Sequence, residues 1–331
     1  MKNIVILNKK LKPKPSIVYD TYWKFAKERQ NIFFNRLNDG CYPWSDNLIL
    51  NEYKFTNVYR ASDRVSQYLI RNVIYRGSQE PKEILFRILL FKIFNKIDTW
   101  EFLMDQLQGI TWENYSFKKY DTLLLELLKN KVPIYSAAYI MASGKSAFHL
   151  DRKHQNHLKL IEMMLTDDLS TQLIQSTDMR DGYNRLKSYP SIGEFLAYQY
   201  ITDINYSSLT NYSEQEFTKA GPGAKDGITK CFTDLRDYTF EDVIKMMNET
   251  QELEFERLEL KFDTLWGRPL QMIDIQNIFC EVDKYSRVAH STIVGLSNRT
   301  RIKQKFKFIE KEKIDFFFPP KWNINNLIHN I

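Results

Sequence analysis

Glycine is scarce in this chain, 11 in 331 residues, which argues against a β architecture built on tight turns and makes each glycine cluster informative. Cysteine is scarcer still. Cys41, Cys231 and Cys280 lie far apart, so they form neither a disulfide framework nor a metal-ligand set, and a reducing compartment is the natural setting. An iron–sulfur cluster, which needs several closely spaced cysteines, is excluded on the same ground. No apolar run reaches the roughly 18 residues of a membrane-spanning helix. The apolar stretch from Ile4 to Leu7 is too short for a secretory signal, and the cytoplasm is the expected location. Gly144-Lys145-Ser146 is similar to the end of a phosphate-binding loop. Tyr139 stands where the first glycine of such a loop belongs, so no kinase reading follows from it. His149, His154 and His157 gather without a cysteine or acidic cluster to complete a site, and neither a metal nor another cofactor is expected.

Aromatic residues, by contrast, are plentiful: 22 Phe, 19 Tyr and 6 Trp, enough to build a core and to line a pocket that stacks bases. The formal net charge of +6 permits a polyanionic partner without establishing one. Helical periodicity dominates. Val65, Tyr68, Leu69 and Val73 share a face, Ile84 to Phe102 is apolar but punctuated by Arg87, Lys92 and Lys96, and Asp121 to Lys129 reads as a buried helix. Ser191-Ile-Gly-Glu194 and Thr239-Phe-Glu-Asp242 are capping-box patterns at helix starts. The clearest alternating strand pattern is around Ile4 to Ile6. The pattern predicts an all-α protein: an N-terminal extension over 1–49, a helical lobe over 50–180, a second lobe over 181–295 that holds the chemistry, and a basic, aromatic tail over 296–331. In that tail Lys303, Lys305 and Lys307 alternate with Phe306 and Phe308, as an edge strand or a phosphate-contacting arm would.

Two segments carry the functional argument. Ala220-Gly-Pro-Gly-Ala-Lys225 is a tight turn before a helix, whose unsatisfied amides and partial positive charge suit a phosphate, although such turns are commonly structural. Gly221, Pro222, Gly223, Ala224 and Lys225 fall into the frame of the hairpin of helix-hairpin-helix DNA glycosylases, which the segment resembles. Ile273-Asp274-Ile275-Gln276 resembles the catalytic-aspartate segment of those enzymes, and Val282-Asp283-Lys284-Tyr285, followed by Arg287-Val288, is a competing match. About fifty residues separate the two motifs, which implies an inserted helical pair around Thr239 to Leu265.

A longer resemblance covers nearly the whole chain. Phe55 to Ile70, Arg87 to Lys96, Ile192 to Gln199, Gly221 to Lys225 and Asp274 to Asn277 are similar to signatures of the α-glutamyl/putrescinyl thymine pyrophosphorylase family. That family is regarded as a divergent branch of the glycosylase superfamily, with relatives that excise hypermodified bases from phage DNA. The resemblance implies a glycosylase that flips out a modified base, such as glucosylated 5-hydroxymethylcytosine of phage DNA, and cuts its N-glycosidic bond in defence. The alternatives are the transferase activity in the family's name, displacing pyrophosphate from activated 5-hydroxymethyluracil in DNA, and a DNA-binding module without catalysis.

Breaking an N-glycosidic bond builds positive charge on the sugar, which a nearby carboxylate stabilises. The resemblance gives that role to Asp274, with Asp283 as second choice; capping the helix that follows is the structural use of Asp274. Lys225 is the candidate nucleophile or phosphate contact, and Gly221, Gly223, Ala224, Lys225 and Arg287 are the candidate DNA contacts. Asn57, Arg60 and Arg64 follow helical spacing and, with Asp63 and Gln67, are expected to line a base pocket or a charged surface face. Gln199 and Asp203 continue an apolar stripe, as a base-reading pair or a satisfied core pair, and Asn95 and Glu281 are further candidates of that kind. DNA is the expected partner.

Overall fold

The computed structural model describes residues 11–38, 40–308 and 315–328. They divide into two compact units, one drawn from Met1–Arg60 and Ala220–Lys313, the other from Ala61–Lys219 and Ile314–Ile331. Both are helical, in keeping with the expected class, and the one sheet among the described residues is a ribbon of Lys14–Pro15 antiparallel to Phe232–Asp234. The strand expected around Ile4 to Ile6 lies outside the described residues.

The first unit is built around two long helices, Ile17–Leu37 and Met272–Ala289, with Pro222–Cys231 packed against both. The division therefore differs from one at residues 49 and 50, because the N-terminal helix belongs to this core. Tyr22 is fully buried, stacks obliquely on Phe279 at 4.6 Å and donates its hydroxyl to Ile275 O. Phe240–Glu249 and Gln251–Arg257 fill the interval where a helical pair is expected. Thr239 and Asp242 form the capping box that their spacing predicts. Ser191 and Glu194 do not: Ser191 takes a left-handed φ of 66°, and Gly193 caps a helix that begins at Glu194.

The expected helix-hairpin-helix element is not formed. The helix before Gly221 is Glu194–Ile204, and the chain between them is irregular. Asn205 holds part of that stretch in its looped course: its Oδ1 accepts from Thr210 Oγ1 at 3.0 Å and Tyr212 N at 2.9 Å. With no helix leading into the glycine turn, the motif resembles the hairpin in residue order alone.

The second unit surrounds Pro81–Phe94, in which every residue from Ile84 to Phe94 is buried. A helix apolar on nearly all sides is a core element, and its two buried cations, Arg87 and Lys92, need partners. Arg87 finds them in backbone carbonyls, donating to Val73 O, Ile74 O and Ser78 O, where the irregular helix Leu69–Ile74 ends. Lys153–Thr166 packs on this core through Leu158, Ile161 and Leu165 and buries His154 and His157.

His157 is held neutral. Its Nδ1 is 3.0 Å from the Tyr135 hydroxyl and its Nε2 is 2.7 Å from Ala142 O, an arrangement met by an imidazole with its proton on Nε2. Burial pushes its pKa down to about 4. The unfolded chain therefore binds a proton between about pH 6.5 and 4 that the folded chain refuses, so stability is present above that window and declines as pH falls through it. Denaturant midpoints of the wild type should fall over this range by the equivalent of about 2–3 kcal/mol. A His157→Gln variant should show a shallower decline, and equal slopes in the two proteins would contradict the assignment.

Candidate functional site

The predicted residues are shared between the two units. In the first, Asp274, Asn277 and Glu281 recur along one face of Met272–Ala289, and all three bond the segment Thr56–Arg60. Asp274 Oδ1 accepts from Arg60 N at 2.8 Å, Asn277 Nδ2 donates to Asn57 O at 2.8 Å, and Glu281 Oε2 accepts from Thr56 N at 3.1 Å. Arg29, from Ile17–Leu37, supplies further bonds, donating to Thr56 O, Phe55 O and Asn57 Oδ1. The helix and the arginine thus satisfy the backbone of an irregular stretch, Thr56–Tyr59, and of Arg60, where a short 3-10 helix begins. Asp274 does not cap the helix from outside. It sits three residues inside, at 4% exposure, and its Oδ2 accepts from Gln271 N at 3.0 Å in a capping box.

The glycine turn packs on the same helix. Gly221 caps Pro222–Cys231 and donates its N–H to Gln276 Oε1 at 3.3 Å. Gly223 and Gly227 then face Met272–Ala289. A Cβ on Gly223 would lie 3.1 Å from Cys280 Sγ, and one on Gly227 would lie 2.1 Å from Phe279 O, inside any allowed contact. Ala224 is fully buried, whereas Lys225 is half-buried with its ammonium 5.6 Å over the Phe240 ring.

Asp283 lies deeper. Its carboxylate pairs with Lys230 Nζ at 2.8 Å and with Arg287, and the side chains of Lys230 and Asp283 are 1% and 3% exposed. Lys230 also donates to Asp283 O, and Arg287 donates to Arg301 O at 3.0 Å. This is a buried ion-pair triad joining the two helices, and removing one partner would leave a charge stranded.

In the second unit Lys92 Nζ lies 2.7 Å from Asp203 Oδ2, with both side chains under 5% exposed. Lys92 also donates to Asn95 Oδ1 at 3.2 Å and stands 4.5 Å over the Tyr139 ring. Tyr139 stacks in turn on Phe195 at 5.9 Å, with a left-handed φ of 55°. Asn95 ends the Pro81–Phe94 helix with φ 48° and donates to Ser136 Oγ. Gln199 is buried on the same helix as Asp203. Gln67 has another task, donating to Ala61 O and accepting from Phe317 N at 2.8 Å, which holds the segment around Phe317. Arg64 is exposed, and Asp63 precedes its short helix.

Sequence reasoning missed Arg29, Lys230 and Tyr139, and gave Lys92 no role. The available signal was a basic residue inside an apolar run, as at Lys92, since a cation there must be paired. A cleft of about 540 Å³ in the first unit is lined by Tyr19, Phe232 and Met246, with Asp20, Glu254 and Arg257 around them, and none of the predicted residues lines it.

If the two glycines serve helix packing, Gly227→Ala should lower stability by about 3 kcal/mol or more, and Gly223→Ala by about 1 kcal/mol, since only the first forces a backbone clash. Urea denaturation checks the order. Equal tolerance of both substitutions would contradict it.

Comparison with known proteins corrects the functional expectation. A family model described as "5-hmdU DNA kinase, helical domain" matches residues 16–295. A protein named 5-hmdU DNA kinase, from Bacillus phage SP10, is 26% identical over 286 residues. The match covers 81% of this chain and 45% of the relative, so the chain spans about half of that protein's length. No solved structure matches. The expected glycosylase, a hydrolase excising modified bases in defence, is overturned by these matches, which name a phosphoryl transferase. The pyrophosphorylase alternative is also not the activity they name, and they provide no tie to the helix-hairpin-helix superfamily. What survives is the coarser resemblance to phage proteins that modify DNA. Because the matched region takes in most of its length, the chain belongs to the family of the helical domain of 5-hmdU DNA kinase.

Proposed function

We propose that this chain handles DNA bearing 5-hmdU while a phosphoryl group is transferred to the 5-hydroxymethyl oxygen of that base. The observation that carries the reading is the family match over residues 16–295. In such a transfer the hydroxyl oxygen bonds to the γ-phosphorus of a nucleoside triphosphate. The bond to the bridging oxygen breaks, the nucleoside diphosphate leaves, and the hydroxyl proton passes to a carboxylate or to water. The protein's task is to position the hydroxyl and to balance charge.

We assign the acceptor base to the Lys92–Asp203 cluster of the second unit. Phe195 and Tyr139 offer flat faces on which a pyrimidine can stack, with the Asn95 amide and the buried Gln199 as candidates to read its edges. A base entering there takes Tyr139's place on Phe195, and release of the left-handed backbone at Tyr139 favours the exchange. Asp203 then accepts the hydroxyl proton while Lys92 compensates its charge. Gly144-Lys-Ser146 serves no phosphate loop in this scheme, because no strand leads into it and only the single turn Lys145–Phe148 follows. The donor nucleotide is therefore assigned to another segment or polypeptide. Lys225, half-buried at the glycine turn, is a proposed phosphate contact, whereas Arg287 is committed to Asp283 and is not one.

Fluorescence anisotropy with duplexes differing only in 5-hmdU or thymidine tests this. The wild type should prefer 5-hmdU by tenfold or more. Asp203→Asn should abolish the preference while keeping the far-UV spectrum of a helical protein. Equal affinity of the wild type for the two duplexes would overturn the reading.

A further inference from the structure

The family match ends at residue 295, but the first unit continues into a basic arm. From Arg299 to Phe308 the arm carries Arg299, Arg301, Lys303, Lys305 and Lys307 and no acidic residue. It lies against Glu52–Lys54 through one isolated antiparallel bridge: Lys54 N donates to Gln304 O, Phe306 N donates to Glu52 O, and Tyr53 pairs with Lys305. Extended backbone sends alternate side chains to opposite sides. One side presents Lys303, Lys305 and Lys307, of which Lys305 is offset by Glu52 at 2.6 Å. The other presents Phe306 and Phe308.

Those two rings meet Tyr42 and Trp44. Tyr42 stacks on Phe308 at 4.8 Å with 23° between planes, and Trp44 meets Phe306 at 6.4 Å and Phe308 at 5.8 Å. Arg36 covers Trp44 at 4.8 Å, and the Trp44 indole N–H donates to Gly40 O at 2.7 Å, so the ring is fixed in place. The cluster is not a core. Phe308 is 50% exposed and Tyr42 41%. Exposed stacked rings beside a cationic arm leave π-faces for bases next to charges for phosphates, the combination that binds unpaired nucleic acid without reading its sequence.

We propose that Tyr42, Trp44, Phe306 and Phe308, with the Arg299–Lys307 cations, form a platform for single-stranded DNA. The occupant follows from charge and ring exposure together. Duplex DNA buries its base faces, so it engages the lysines and leaves the rings idle. The proposal rests on the reading of the chain as one that acts on DNA, and it concerns the strand around the modified base, not the base itself.

The test is binding of a fluorescent twelve-nucleotide oligo(dT), compared with a duplex of equal length, across a salt series. The wild type should favour the single strand. Tyr42→Ala combined with Phe308→Ala should weaken single-strand binding tenfold or more at unchanged thermal midpoint, leaving duplex binding within about twofold. Lys303→Glu combined with Lys307→Glu should flatten the log–log salt dependence by a slope of about one to two, each phosphate left without its cation accounting for about 0.7. The proposal is overturned if the aromatic variant binds oligo(dT) like the wild type, or if the duplex binds as well as the single strand. It is also overturned if the substitutions merely dissociate a dimer seen by light scattering. The aromatic variant should keep the wild-type preference for 5-hmdU over thymidine. If the wild type itself shows no such preference while oligo(dT) binding behaves as described, the functional reading fails and the platform stands.

Discussion

One helix face organises the first unit. Asp274, Asn277 and Glu281, placed three and four residues apart, bond the backbone of an irregular segment that would otherwise bury unsatisfied amides and carbonyls. Leaving one such group unmet costs on the order of 1–3 kcal/mol, comparable to a sizeable fraction of a domain's net stability. Arg29 meets the carbonyls of Phe55 and Thr56, so Phe55–Tyr59 is fixed by side chains in place of a sheet or helix of its own. Close approach of Pro222–Cys231 to the same helix, permitted by Gly223 and Gly227, completes the arrangement.

Both units bury a lysine–aspartate pair, Lys230–Asp283 in one and Lys92–Asp203 in the other. Such pairs add little net stability, since desolvation offsets their attraction. Their surroundings separate them. Lys230 and Asp283 are enclosed with Arg287 between two tightly crossed helices, a setting suited to fixing register. Lys92 lies beneath a tyrosine held in left-handed backbone in an irregular segment, a setting suited to exchange with a ligand. That contrast is why the proposed acceptor site is drawn at Asp203 and not at Asp283.

Much of the helical fold was legible, because apolar spacing and the Thr239–Asp242 box are local signals. The Ser191 box was misleading for a tertiary reason: Ser191 adopts a left-handed turn that no short pattern reveals. Asp274 stood out as a special carboxylate at a helix start, but its partner Arg60 is more than two hundred residues away in sequence, and spacing says nothing about such pairings. The sequence marks the glycine turn as special, but that the missing Cβ atoms of Gly223 and Gly227 make room for Cys280 and Phe279 is disclosed only by the helix crossing. The kinase connection was illegible because the one sequence that resembles a phosphate loop lacks the loop's first glycine and its strand, leaving no local chemistry to announce phosphoryl transfer.

The pinning of Thr56–Arg60 by a single helix face is most directly tested by amide hydrogen exchange. In the wild type the Thr56 and Arg60 amides should exchange as slowly as those in the middle of Met272–Ala289. In an Asp274→Ala variant the Arg60 amide should lose at least tenfold of its protection while the Thr56 amide, held by Glu281, changes less. Fast exchange at Arg60 in the wild type, or protection there indifferent to the loss of Asp274, would contradict the account.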